Sequence, residues 1–395
     1  MTSLLKEWFN YFCEMQSHIT ACYDENSLQH TMNDLEDAVE MALPSDQDFD
    51  TDGVTTQALN EYTVQMIMEA FENHEGARFI SKNERARLKM QAELLLRKQQ
   101  VEQRSAQWYQ EMTGLLTASE LGTILKPNRT RGQLVLAKAR GDVRAPTGAP
   151  MAVPSELMSA FDWGIRFEPV IKMIYEAKFP GTKVHEVGRL YHPTLARCAA
   201  SPDGVVLGTS ERAGRLLEIK CPVTRDISSA TIPEDYYAQM QQQLEVTDLE
   251  ECDYMEVKIR SRYSSETPLL LEGEALYRGV LWRIDYDEAV GSPEERSYSY
   301  YLYGAINDMS GKVPPLPEGH HVAETVPWEA VKINLITVNR NSTWWAMPLV
   351  KIEEFWADVE KARSGTFVLP ASSRKTKVEK EDEGCLFVLP SAPSP

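Results

Sequence analysis

"SPDGVVLGTSERAGRLLEIKCP" occupies positions 201–222. Ser201-Pro202-Asp203-Gly204 reads as a turn that opens an apolar strand; after a loop, Leu216-Leu217-Glu218-Ile219-Lys220 reads as a second strand. Side chains alternate along a strand, so Glu218 and Lys220 share one face while Leu217 and Ile219 share the other. Burying an unpaired carboxylate or ammonium costs several kcal/mol, so a strand interior does not hold such a pair by default. Asp203 sits at the mouth of the preceding strand, within reach across the hairpin. Two readings stand at this point. One is a cross-strand salt bridge. The other is a divalent-metal site, because two carboxylates beside a lysine suit Mg²⁺, a hard ion that takes one or two carboxylates and completes its octahedron with water.

Outward from this hairpin, the order of elements points to a mixed α/β fold. A helix is expected around 155–178, strands near 183–191, 197–207 and 215–221, a helix from Pro233 to about Val246, and a strand at 253–260. Strands at 275–286 and 330–338 and helices at 293–309 and 348–363 enlarge the sheet. Upstream, Ser81-Lys82-Asn83-Glu84 fits a capping box opening a long helix through about Tyr109, and Thr117-Ala118-Ser119-Glu120 fits a second one starting a helix through Leu125. The first of these helices carries Lys82, Arg85, Arg87, Lys89, Arg97, Lys98 and Arg104, a solvated face or a phosphate-facing stripe. Residues 1–80 read as an acidic helical region in which Trp8, Phe12, Met15 and Ile19 recur at helical spacing. Residues 81–365 form the main domain. Residues 366–395 read as a flexible tail, in which the tetrapeptide FVLP occurs at 367 and again at 387.

Among the 395 residues, 43% are hydrophobic and 25% charged, an ordinary globular balance. No apolar run reaches the length of a membrane span, and the first residues lack a signal-peptide pattern, so an intracellular protein is expected, in cytoplasm or nucleus. Six scattered cysteines without a CxxC pair argue for reduced thiols and against zinc or an iron–sulfur cluster. A net charge of −18 argues against nucleic acid, but residues 1–61 hold thirteen acidic side chains against Lys6 alone. Only a local basic surface matters for binding phosphates.

The ordered set Ser201-Pro202-Asp203-Gly204, Leu217-Glu218-Ile219-Lys220-Cys221-Pro222 and Tyr237-Ala238-Gln239-Met240-Gln241 is joined by Trp163-Gly164-Ile165-Arg166-Phe167-Glu168 and Thr117-Ala118-Ser119 upstream. Together these motifs resemble the PD-(D/E)xK nuclease superfamily, in particular the branch of phage lambda exonuclease, the YqaJ-type viral recombinases and the viral alkaline nucleases. The likeness runs over roughly 105–262, more weakly to about 363. It implies a restriction-endonuclease-like core, a small mixed central sheet flanked by helices, behind a helical N-terminal extension. It also implies a Mg²⁺-dependent deoxyribonuclease, with Mn²⁺ as substitute, acting 5′ to 3′ on double-stranded DNA in viral or phage-like recombination or repair. An endonuclease or RNase of the alkaline nuclease type and a non-catalytic nucleic-acid-binding module are the alternatives.

The same resemblance implies roles. Asp203 and Glu218 would bind metal with the Ile219 carbonyl, and Glu168 would complete the shell. Lys220 would orient or deprotonate the attacking water. Gln239 and Ser201 would hydrogen-bond beside the site. Ser119, in the first turn of its helix, would meet a phosphate, unless it only serves the cap. Members of the branch place an arginine four residues after a tryptophan, against the substrate's 5′ phosphate. Here Trp108 is followed by Met112, leaving Arg104 or Arg166 as substitutes. The acidic N-terminal region is a candidate docking element for a partner such as a single-strand annealing protein. His185, His192, Trp344-Trp345 and the tyrosines at 298, 300, 301 and 303 read as structural, the tyrosines on one helix.

Overall fold

A computed structural model of the chain describes residues 80, 82–126, 128–142, 152–227, 231–262, 275–286 and 299–371. The helical faces expected within 1–79, the cap at Ser81, Tyr298 and the tail beyond 371 lie outside the described residues.

The predicted hairpin is present. Strand β5 (Gly204–Gly208) pairs antiparallel with β6 (Leu216–Lys220), Gly204 opposite Leu217. Strand β6 then runs parallel to β7 (Glu251–Ser261), with Glu218 level with Tyr254. Parallel neighbours need a crossover; here it contains the helix Glu234–Thr247, labelled α6 below. The sheet extends in the order β2-β5-β6-β7-β10-β8-β9, where β2 is Thr182–His185, β8 Tyr277–Tyr286, β9 Tyr300–Tyr303 and β10 His320–Asn339. A small second sheet joins β1 (Leu116–Thr117), β4 (Cys198–Ala200) and β3 (Leu190–Tyr191) in the order β1-β4-β3. The fold class is mixed α/β, as the sequence predicts.

Seven α-helices stand among the described residues: α1 (Lys82–Arg97), α2 (Ala106–Glu111), α3 (Ala118–Leu125), α4 (Arg129–Arg140), α5 (Ala160–Lys178), α6, and α7 (Ser342–Arg363). On one face of the large sheet, Leu217 and Ile219 pack with Phe167, Val170, Ile171 and Ile174 of α5. On the other, Leu216 joins Met240 and Leu244 of α6 and Leu88, Ala92 and Leu95 of α1. Full burial of each leucine, isoleucine, valine, methionine or phenylalanine among them contributes about 1.5–3 kcal/mol. A third cluster binds α3, α4 and α7 through Leu121, Ile124, Val135, Trp345, Ile352 and Phe355.

Several expected elements differ. The helix expected to run to Tyr109 ends at Arg97 and resumes at Ala106; Arg104 between them takes a positive φ of 65°, which a continuous helix forbids. Arg85 and Arg87 spend their charge on Glu251 and Glu84 rather than forming an open stripe. The strand expected at 197–207 breaks around Ser201-Pro202-Asp203, where Pro202 removes a ladder donor. The single strand at 183–191 is likewise two, β2 and β3. Within the range expected to be the helix 293–309, Tyr300–Tyr303 is strand β9, paired with β8 from Leu281 to Ile284. Adjacent tyrosines favour a pleated, half-buried surface over a helix.

Candidate metal and phosphate site

The end of β6 places Glu218 and Lys220 toward α6. Glu218 is only 1% exposed. A carboxylate buried to that degree must be met by donors, and three side chains supply them. Lys220 Nζ bonds Glu218 Oε1, Gln239 Nε2 donates to the same oxygen at 2.7 Å, and Gln243 Nε2 donates to Oε2 at 2.7 Å. Gln239 and Gln243 lie four residues apart on α6 and therefore on one face. The neighbouring glutamines serve elsewhere: Gln241 donates to the Asn339 carbonyl at 2.8 Å, and Gln242 to the carbonyls of Leu116 and Ala199, each at 3.0 Å.

Asp203 reaches across the hairpin as expected. Its Oδ2 accepts from the Ile219 N–H at 2.7 Å, which locks the carboxylate to the next strand. Burial, together with the Glu218 and Glu168 carboxylates, pushes Asp203 well above the usual carboxylate range, against the pull of Lys220 and the Ile219 N–H. Burial works against the Lys220 ammonium, but Glu218 and Asp203 outweigh it and hold the lysine protonated above its ordinary range.

Glu168, on α5, feels the same centre but is held from the side. Arg104 Nη2 donates to one of its oxygens at 2.8 Å and Lys172 Nζ to the other at 2.9 Å. Burial opposes its ionisation, and these two cations overcome that and set it below the ordinary glutamate value. Lys172 also bonds Glu186 at 3.1 Å. Trp108 Nε1 donates to Ser201 Oγ at 3.2 Å, tying α2 to the turn before Asp203.

Ser119 is exposed in the first turn of α3, its hydroxyl 3.3 Å from that of Thr117. The Glu120 carboxylate accepts from both the N–H and the hydroxyl of Thr117 at 2.9 Å, as the capping box predicts. Lys138 of α4, only 5% exposed, donates to the Met112 carbonyl at 2.6 Å and bonds Glu120. A lysine cation therefore touches the backbone of Met112 at the position where the branch carries an arginine side chain.

Arg166, an expected substrate contact, lies on α5. It is fully buried; its guanidinium donates to Ser155 Oγ at 2.8 Å and the Val153 carbonyl at 2.6 Å, and stacks over the Tyr301 ring at 5.0 Å. The histidines read as structural. His192 Nδ1 accepts from the N–H groups of Thr194 and Leu195, and His185 lies in β2 opposite Val205. Gln243 is the side chain at the site that the sequence reading missed. The helical period from Gln239 was the signal that would have found it. Lys172, which shares Glu168 with Arg104, is the other.

Among the described residues no three His, Cys, Asp or Glu side chains converge into a ready-made metal cage. The Glu218 and Glu168 carboxylates raise the cost of ionising Asp203, and the oxygens of all three turn to lysine, arginine, amide or N–H donors. The donor set nonetheless fits a hard divalent ion that needs only one or two carboxylates.

A mixed sheet with an acidic pair and a lysine at the end of its central hairpin, closed by a glutamine-bearing helix, is the class this fold and site define. Residues 107–250 match the model of the YqaJ-like viral recombinase domain. The chain is 26% identical over 297 residues to an uncharacterised protein of Acanthamoeba polyphaga mimivirus, covering 65% of this chain and 52% of the other, so it spans about half the length of that curated relative. Similar solved structures include an alkaline exonuclease from Laribacter hongkongensis (20% identity, 66% of this chain and 95% of that one, TM-score 0.39). A phage related exonuclease from Haemophilus somnus 129PT is another (13% identity, 64% and 94%, TM-score 0.34). No helix among the described residues is long and apolar enough to cross a membrane.

Proposed function

We propose that the chain is a Mg²⁺-dependent deoxyribonuclease that hydrolyses double-stranded DNA from its 5′ ends, within a viral or phage-like recombination or repair system. The observation that carries this reading is the meeting of Asp203, Glu218 and Lys220 at one end of the β5–β6 hairpin, with Asp203 and Glu218 each fixed by a donor from a different strand or helix. The match of residues 107–250 to the YqaJ-like viral recombinase domain supports it.

Asp203, Glu218 and the Ile219 carbonyl would hold the ion, with Glu168 beside them; Mn²⁺ would substitute. When bound, the ion polarises the scissile phosphate, lowers the pKa of bound water and offsets charge on the leaving oxygen. Lys220, protonated by its two carboxylate neighbours, orients the attacking water and meets negative charge on the phosphate. Gln239 and Gln243 keep Glu218 from rotating away. Water attacks phosphorus, losing a proton to the surroundings; the bond from phosphorus to the 3′ oxygen breaks, and that oxygen takes up a proton. Ser119, Ser201 and Arg104 would contact the nucleic-acid backbone.

End-labelled linear duplex and a covalently closed circle, incubated together with Mg²⁺, test the reading. The linear strands should shorten from their 5′ ends while the circle persists. Cleavage of the circle at a similar rate would replace it with an endonuclease, and an inert linear duplex would remove the nuclease reading.

A further inference from the structure

The tetrapeptide Phe-Val-Leu-Pro occurs at 367–370 and again at 387–390. The first copy is seated. Following α7, the N–H groups of Thr366 and Phe367 donate to the Lys361 carbonyl at 2.9 and 3.2 Å, which turns the chain back. Phe367 packs on the cluster shared by α3, α4 and α7. Leu369 and Pro370 lie over Gly132 of α4 so closely that a Cβ there would come within 2.7 Å of each. Arg129 Nη1 donates to the Pro370 carbonyl at 3.1 Å. Val368 points away, 84% exposed.

The seat therefore reads three of the four side chains and one carbonyl. A glycine on a helix face is disfavoured against alanine, and its use here is the close approach of another chain segment. Every feature the seat reads at 367–370 is present again at 387–390. We infer that the groove between α4 and the end of α7 is a recognition site for this tetrapeptide, and that residues 387–390 are its second occupant, in exchange with the first. Sixteen residues separate Pro370 from Phe387. A chain of that length reaches at most about 55 Å when fully extended, so return to the same seat is within reach. Filling of the seat by the second copy releases the first, whose exposed hydrophobic face becomes available. This device does not depend on the nuclease reading.

The test uses four full-length chains: wild type, Phe367→Ala with Leu369→Ala, Phe387→Ala with Leu389→Ala, and all four substitutions together. The probe is a fluorescent peptide with the sequence of residues 384–392, Cys385 replaced by serine, followed by anisotropy. The chain with both copies disabled should bind it saturably. The chain that keeps only the second copy should bind at least about tenfold more weakly, because a tethered competitor acts at an effective concentration near millimolar. A scrambled peptide should not bind, a valine-to-serine change in the peptide should be tolerated, and Gly132→Val in the doubly disabled chain should block binding while thermal melting reports that the fold persists. Absence of saturable binding to the doubly disabled chain would overturn the seat. Equal binding to that chain and to the one keeping 387–390 would overturn the exchange.

Discussion

The Gln243 side-chain amide donates to Glu218 Oε2 at 2.7 Å, so one oxygen of a buried strand carboxylate is held by a helix that begins fourteen residues after that strand ends. A hydrogen bond to a charged group is worth about 1.5–3 kcal/mol, and its loss leaves Glu218 partly unsatisfied in a dry place. Gln243→Leu should lower stability by about that amount and raise the Mg²⁺ concentration needed for half-maximal cleavage about tenfold. Urea unfolding and a Mg²⁺ titration of cleavage rate measure the two. An unchanged Mg²⁺ requirement with reduced stability would mean that Gln243 only packs.

Arg166 separates structure from binding. Its guanidinium is spent on Ser155, Val153 and the Tyr301 ring. Arg166→Met should destabilise the protein by roughly 2 kcal/mol, because two buried acceptors lose their donor. The slope of log affinity for DNA against log salt should stay the same, since no phosphate contact is removed. A slope shallower by about one would place Arg166 on the DNA.

The acid limb of stability should follow Asp253, which lies on β7 level with Leu217 of β6. Its carboxylate meets Arg212 at 2.6 Å, Arg215 at 3.0 Å, Tyr175 Oη at 2.5 Å and Thr337 Oγ1 at 2.7 Å. Burial alone would raise its pKa; the two arginines and the hydrogen bonds override that and bring it down to about 2. A depressed folded value means that the stabilisation is complete above the unfolded pKa near 3.9 and is lost as pH falls toward 2. Unfolding free energy measured by urea should therefore fall by on the order of 2 kcal/mol across that window from this group. Asp253→Asn should flatten the fall and cost several kcal/mol at pH 7 by leaving Arg212 and Arg215 under-compensated. An equally steep acid limb in that variant would assign it elsewhere.

How much of this was visible beforehand follows from where the information lies. The hairpin, its two carboxylates, the lysine and the helix bearing Gln239 are local patterns with period 2 or 3.6, and the sequence displays them directly. The burial of Arg166 is not legible in the sequence, because its partners, Val153 and Tyr301, come from separate segments and a buried arginine looks no different from an exposed one. The strand at Tyr300–Tyr303 was misjudged because its pairing partner β8 supplies the ladder, whereas a run of tyrosines has no clear period of its own. The break before Arg104 depends on a left-handed backbone, which no glycine or asparagine marks.

Met112 bears on end recognition. Methionine offers neither charge nor donor, and the nearby Lys138 is already bonded to Glu120 and the Met112 carbonyl. Under the proposed nuclease reading, a charge-assisted contact to a terminal phosphate would be absent at this position, a difference of about 1.5–3 kcal/mol, or roughly ten- to a hundredfold. Initial rates on two duplexes differing only in a 5′ phosphate should differ by less than a hundredfold. Met112→Arg should widen the gap. A wild-type preference of a hundredfold or more would mean that another cation, Arg104 first, makes the contact.

The most direct test is single-turnover cleavage of linear duplex in Mg²⁺ by Glu218→Gln, with Asp203→Asn and Lys220→Met beside it. These replacements keep shape and most hydrogen bonds while removing the charge that would hold the ion or meet the phosphate. Cleavage should fall by at least about a thousandfold in each, with DNA binding in Ca²⁺ retained, since Ca²⁺ accepts looser oxygen coordination. Cleavage by Glu218→Gln at near wild-type rate would contradict the assignment of this hairpin as the reacting centre.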